Sequence, residues 1–119
     1  MKLDLEQFRK LNTQRAVEGF KTYENVSLSY WGNAIAGEVG ELCNLIKKLD
    51  RVKSGGIDAG SSYTAADITP EMIKEEIGGV AIYLDLLASL FDISLEDAII
   101  ETFNSKSEKY NFKQIIPTA

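Results

Sequence analysis

Apolar residues recur every three or four positions in four stretches of the chain, and no stretch alternates apolar and polar residues as a half-buried strand does. This spacing places the apolar side chains of each stretch on one face of a helix. The four predicted helices cover approximately 5–21, 29–51, 70–91 and 95–109. We therefore expect an all-α four-helix bundle that forms a single domain over residues 1–119.

Residues suited to N-caps precede three of these helices, at Asp4, Thr69 and Ser94. The stretch 50–69 shows no helical period and is rich in glycine and serine, which is typical of a long loop. Residues 111–119 have no helical pattern and are predicted to form a loose tail.

The apolar positions of each helix also predict the core. Arg9 should face water, and the single cysteine, Cys43, should be an inert buried thiol. Asp85 interrupts an apolar run, and we expect it to make a hydrogen bond at a subunit interface rather than to take part in catalysis. The predicted core positions are Leu5, Phe8, Leu11, Ala16 and Phe20 in the first helix, Trp31, Ile35, Val39, Leu42, Leu45, Ile46 and Leu49 in the second, and Ile73, Ile77, Val80, Ala81, Leu84, Leu87 and Ala88 in the third.

Composition narrows the classes of function. A net charge of −5 argues against nucleic acid or an anionic membrane as a partner. The absence of histidine removes the commonest general base and most zinc sites. One cysteine excludes an internal disulfide, and the apolar run 77–91 is shorter than the roughly 20 residues of a membrane span, so we expect a cytoplasmic protein.

Two carboxylates, Glu38 and Glu41, stand three positions apart and therefore project from one face of the second helix. Gly37 and Gly40 beside them indicate that something approaches the backbone closely. In a bundle, Glu76 of the third helix can face this pair, and a hard divalent cation such as Mg²⁺ would neutralise the three charges and bind substrate phosphates. The alternative is that all three acids are simply solvated, as glutamates on exposed helix faces usually are.

Three segments, WGNAIAGEVGEL at 31–42, EEIGGVAIYLDLLA at 75–88 and FNSKSEK at 103–109, together resemble the MazG-like all-α nucleotide pyrophosphohydrolases. That resemblance implies hydrolysis of a nucleoside triphosphate to the monophosphate and pyrophosphate by a dimer or tetramer. It also implies that Mg²⁺, with Mn²⁺ as an alternative, is bound by an E-x-x-E pair on one helix and an E-x-x-D pair on the next.

Carried over by position, Glu38 and Glu41 match the first pair, and Glu76 matches the glutamate of the second. Gly79 stands where the family has aspartate, and the neighbouring Glu75 is a partial substitute. The resemblance further implies that Asn104 and Lys109 contact the nucleotide. For Trp31, a place in the nucleotide pocket and a place in the core are equally open.

Three hypotheses follow. The chain is a Mg²⁺-dependent pyrophosphohydrolase that uses Glu38, Glu41 and Glu76, or it is a catalytically impaired relative that binds nucleotide or only assembles, because Gly79 replaces a ligand. The third is a helical interaction protein with solvated acids. We also expect a homodimer or tetramer, since one small bundle leaves apolar surface on its second and third helices.

Overall fold

The computed structural model describes residues 2–20, 25–53 and 67–118, and helices are the only regular elements within these ranges. The prediction of an all-α fold is therefore confirmed. The elements are α1 (Leu5–Arg15), a π-helical segment (Ala16–Phe20), α2 (Leu28–Lys53), α3 (Pro70–Leu90) and α4 (Leu95–Lys109).

Side chains cap the helix starts that the sequence marks. A carboxylate or hydroxyl oxygen accepts a backbone N–H from the first turn, which satisfies a donor that has no partner inside the helix. These bonds join Asp4 to Glu6 (2.9 Å) and Gln7 (3.1 Å), Thr69 to Met72 (3.3 Å), and Ser94 to Asp97 (3.2 Å). Ser27 accepts from Tyr30 in the same way at 3.3 Å, which explains why α2 begins slightly before its predicted start.

Helices α3 and α4 both end in Schellman motifs built on a left-handed residue. After α3 this residue is Asp92 (φ 53°), and after α4 it is Asn111 (φ 61°). The following N–H groups close the helix ends, with Ile93 donating to the Ala88 carbonyl at 3.0 Å and Phe112 donating to the Ser107 carbonyl at 2.7 Å. Aspartate and asparagine tolerate this conformation better than other side chains, so each chain reversal follows from a local sequence choice.

Two helix ends differ from the prediction. The first helix keeps α geometry only to Arg15 and then widens into the π-helical segment, where the hydrogen-bonding register changes by one residue. Helix α2 continues to Lys53, so the predicted loop 50–69 begins later than expected. Most of that loop, residues 54–66, lies outside the described residues.

The chain divides into two compact units. The first comprises Met1–Asn25 and Asp85–Ala119, and the second comprises Val26–Leu84. The helix α3 contributes its first fifteen residues to the second unit and its last six to the first. The expected single domain stays a prediction.

A buried carboxylate, Asp85, joins the elements of the first unit. Its side chain accepts hydrogen bonds from Arg9 Nε at 2.9 Å and Asn12 Nδ2 at 3.0 Å, while a terminal nitrogen of Arg9 donates to the Ile93 carbonyl at 2.8 Å. Asp85 is 0% exposed, so these partners supply the hydrogen bonds that water would otherwise make to its oxygens. Two expectations are therefore wrong: Arg9 is held against Asp85 instead of facing water, and Asp85 bonds within the chain instead of across a subunit interface.

The tail also belongs to the first unit, and Asn104 of α4 holds it. The Asn104 amide donates to the Ile116 carbonyl at 2.9 Å and accepts the Ile116 N–H at 2.7 Å. Residues 112–118 form no helix or strand, as expected for a tail, but this pair of bonds fixes them at one point. At Ile116, therefore, the tail is not loose as expected.

Much apolar surface stays open in the described part of the chain. Only Ala16, Trp31, Ile68 and Leu86 are buried among its hydrophobic residues. Several predicted core positions are exposed instead, namely Leu11, Phe20, Val39, Cys43, Ile46, Ile77, Ala81 and Leu84. No single described helix is both long enough and apolar enough to cross a membrane. The bent pair formed by α3 and α4 meets the criteria of length and composition only when the two helices are taken as one segment.

Replacing Asp85 by alanine should lower the free energy of unfolding by about 3 kcal/mol or more, because Arg9 Nε and Asn12 Nδ2 lose their shared buried acceptor. Urea unfolding followed by circular dichroism measures this change. The matched control is Glu101→Ala, which removes an exposed carboxylate from α4 and should change stability by less than about 0.5 kcal/mol. Equal effects of the two substitutions would show that the Asp85 network contributes no particular stability.

Candidate metal centre

Helices α2 and α3 run antiparallel where they meet in the second unit. The rings of Trp31 and Tyr83 lie with their centroids 6.3 Å apart, and farther along α2 the side chain of Glu38 reaches the backbone of Gly79. Residue numbers thus rise along α2 as they fall along α3. This pairing places the acidic positions of the two helices opposite each other.

Three carboxylates, from Glu38, Glu41 and Glu76, come together at this pairing. One oxygen from each side chain lies within 4.8 Å of the other two. Glu38 and Glu76 are half-buried, and Glu41 is exposed. The structure thus brings together the three acids that the sequence proposed as a group, and it places them on the rim of the helix pair where solvent or a ligand can reach them. We call these three residues the acid cluster.

The electrostatics of the acid cluster affect Glu76 most. Loss of surrounding water, a hydrogen bond to Glu41 and the negative charges of Glu41 and Glu38 together raise the pKa of Glu76 above its ordinary value of 4.5. Each of these effects favours the protonated carboxyl over the carboxylate. A group in this position is more easily ionised when a cation takes the place of the proton.

Gly79 lies directly against Glu38. A Cβ atom added at this glycine would stand 2.6 Å from Glu38 Oε2 and 3.3 Å from its carboxyl carbon. Gly37, Gly40 and Gly78 have open space at the same position. Gly37 and Gly40 suggested that another group approaches the backbone of α2 closely. The structure shows such an approach at Gly79 of α3 instead, where the approaching group is the Glu38 side chain.

The donor set of the acid cluster fits a hard divalent cation. Neighbouring ligands of octahedral Mg²⁺ are about 3.0 Å apart and opposite ligands about 4.2 Å apart, because each Mg–O bond is about 2.1 Å long. At most one pair among three ligands can be opposite, so the cluster oxygens, which lie within 4.8 Å of one another, would have to draw closer by side-chain rotation to share one ion. Carboxylate oxygens are the ligands that Mg²⁺ and Mn²⁺ prefer, and water can complete the coordination.

Other predicted site residues lie elsewhere. Trp31 is 2% exposed and packs edge-on against Tyr30 at 5.5 Å, which favours the core over a nucleotide pocket. Asn104 has its amide bonded to Ile116, and Lys109 is exposed with its ammonium 5.4 Å from the ring centre of Tyr110. Glu75 is exposed and is not a member of the acid cluster, so it does not act as the partial substitute that the sequence suggested.

The sequence alone did not reveal the contact between Glu38 and Gly79. A visible signal was the pair Gly78-Gly79 inside a helix, where each glycine lowers helix propensity by about 1 kcal/mol relative to alanine. Position 79 stands three residues after Glu76 and so shares its face of α3, but the spacing does not show which side chain of α2 lies against it. That contact depends on the packing of the two helices.

The stability of the metal-free protein should depend on pH through Glu76. Because its pKa is raised by folding, the native state binds this proton more tightly than the unfolded chain does. The stability contributed by the proton is complete below pH 4.5 and is lost as the pH rises through the raised pKa. Glu76→Gln, which stays neutral, should therefore gain stability relative to the natural protein as the pH rises from 4.5 towards neutrality.

Urea unfolding in a chelating buffer across this pH range measures the difference between the two proteins. Glu75→Gln is the matched control, because the neighbouring carboxylate is exposed and lies outside the acid cluster. The loss of stability with rising pH that Glu76 causes should persist in this variant. A stability difference between Glu76→Gln and the natural protein that does not change with pH would contradict the assigned electrostatics.

Comparison of the chain with protein-family models, with curated proteins and with solved structures gives no match in any of the three. The resemblance to the MazG-like pyrophosphohydrolases accordingly rests on the three quoted segments.

Proposed function

We propose that the protein is a Mg²⁺-dependent nucleoside triphosphate pyrophosphohydrolase, which uses water to cleave the anhydride between the α and β phosphates and releases a nucleoside monophosphate and pyrophosphate. The observation that carries this proposal is the meeting of three carboxylate oxygens from two helices within 4.8 Å. Simple solvation of glutamates does not require them to converge across a helix pair. Convergence does favour a cation, and the three quoted segments connect such a site with triphosphates.

The chain's own residues have distinct tasks in this proposal. Glu38 and Glu76, which are half-buried, hold the ion against the helix pair, and the exposed Glu41 completes the set on the solvent side. When bound, Mg²⁺ offsets phosphate charge and lowers the pKa of a water ligand. A protein of net charge −5 needs that compensation to bind a triphosphate. Asn104, whose amide is bonded to Ile116, and Lys109, whose ammonium is exposed, belong to the first unit, so the ion-binding tasks fall to the three acids of the second.

A second candidate function is a catalytically impaired relative that binds nucleotide or serves in assembly. Gly79 favours it, because this residue stands where the resembled family has a fourth carboxylate. The position does face the acid cluster, since its missing side chain would point at Glu38. An ion held by three carboxylates is bound less tightly and leaves more of its coordination to water.

Self-association to a dimer or tetramer is part of both candidates. Two exposed apolar rows support it, Val39, Cys43 and Ile46 on α2 and Ile77, Ala81 and Leu84 on α3. Both rows have the alternating spacing of four and three residues that helices use to pack against one another. A second copy of the chain can cover these rows, which a monomer would leave in water.

A pyrophosphate-release assay on purified protein, with each dNTP and NTP and with either Mg²⁺ or chelator, tests the proposal. We expect Mg²⁺-dependent release from a subset of nucleotides. Glu41→Gln should lower the rate by about 100-fold or more, because removing a direct ligand should have at least the effect of removing a residue that supports one.

Glu75→Gln is the control for the same assay, since this exposed carboxylate lies on α3 outside the acid cluster. Its rate should equal that of the natural protein. Absence of release from every nucleotide would favour the impaired relative. Release that persists unchanged in Glu41→Gln would remove the acid cluster from the mechanism.

A further inference from the structure

We propose that Gly79 is a positioning residue for the ion site, because its lack of a side chain lets the Glu38 carboxylate lie against α3 and join Glu41 and Glu76. This inference rests on the proposed function only in that the acid cluster holds a divalent ion. Under this inference, Gly79 contributes to the ion site by leaving room for the Glu38 carboxylate, in addition to lacking a ligand of its own.

The geometry at α3 carries the argument. A Cβ atom at position 79 would meet Glu38 Oε2 at 2.6 Å, a distance that atoms in contact do not adopt, so any other residue at this position displaces the carboxylate. The displaced group is the far end of a flexible side chain. The helix pair can therefore stay folded while Glu38 turns away from the acid cluster.

The neighbouring Gly78 supplies a matched contrast. It lies on the same helix and is one residue away, but a Cβ atom added there meets nothing within 4 Å. Alanine at either position raises helix propensity by the same amount. Any difference between the two substitutions in ion binding therefore reports the contact with Glu38 and not the preference of the backbone.

The chemistry of the acid cluster explains why this contact affects ion binding. Glu38 is drawn towards an ion but repelled by Glu41 and Glu76 when no ion is bound. In its position against α3, one oxygen of Glu38 lies within 4.8 Å of the other two. We expect a side chain at residue 79 to move Glu38 from this position and so to weaken the convergence of the three carboxylates.

The test measures Mg²⁺ affinity without nucleotide, by calorimetry and by the rise in melting temperature during a Mg²⁺ titration. Gly79→Ala should weaken binding by about tenfold or more, as replacing a residue that orients a ligand typically does. Gly78→Ala should bind as the natural protein does. Gly79→Asp, which displaces Glu38 but brings its own carboxylate, should retain most of the affinity.

A double-mutant cycle shows whether Gly79 acts through Glu38. In a Glu38→Gln background, Gly79→Ala should have no further effect on Mg²⁺ affinity, because the carboxylate it displaces is already gone. An equal loss in both backgrounds overturns the inference. The inference is also overturned if Gly79→Ala binds Mg²⁺ as tightly as the natural protein, or if the natural protein binds no Mg²⁺.

The pyrophosphate assay keeps this inference separate from the proposed function. If Gly79→Ala loses Mg²⁺ affinity while the natural protein releases no pyrophosphate, the positioning role stands and the enzymatic proposal fails. If the natural protein releases pyrophosphate and Gly79→Ala binds Mg²⁺ normally, the enzymatic proposal stands and the positioning role fails.

Discussion

Repulsion among three like charges is the constraint that the α2–α3 pairing has to accommodate. Glu38, Glu41 and Glu76 place oxygens within 4.8 Å of one another, and loss of surrounding water together with the two neighbouring carboxylates raises the pKa of Glu76. The packing of Trp31 near Tyr83 holds the helices together at another point of the same pair. A proton relieves the repulsion at low pH, and under the proposed function a divalent ion would relieve it at neutral pH.

Asp85 shows the other way in which this chain accommodates a carboxylate away from water. It is fully buried, and a guanidinium and an amide provide its hydrogen bonds. These hydrogen bonds lie within the protein, and the buried carboxylate is not accessible to a ligand. Glu76, in contrast, has two further carboxylates beside it and is still partly open to solvent. The difference in neighbours separates a structural acid from a candidate site on the same helix.

Local signals predicted the helices because capping and termination depend on residues close in sequence, as Asp4, Thr69 and Ser94 show. The acid cluster could also be predicted, since spacing aligns Glu38 with Glu41 and an antiparallel neighbour can bring Glu76 opposite them. The π-helical segment and the partners of Arg9 could not, because they depend on contacts between distant parts of the chain. For the same reason, the sequence did not reveal that Glu38 lies against Gly79.

The errors in the predicted core have a common physical origin. Val39, Cys43 and Ile46 continue the apolar pattern of α2, yet they are exposed, and Ile77 and Leu84 do the same on α3. Apolar periodicity identifies the apolar face of a helix, but it does not identify the surface that covers this face. If a second copy covers these rows, the pattern is satisfied in the assembly and not within one chain. The rows lie on the two helices that carry the acid cluster, so association would stiffen the helices whose spacing sets the distances between the carboxylates.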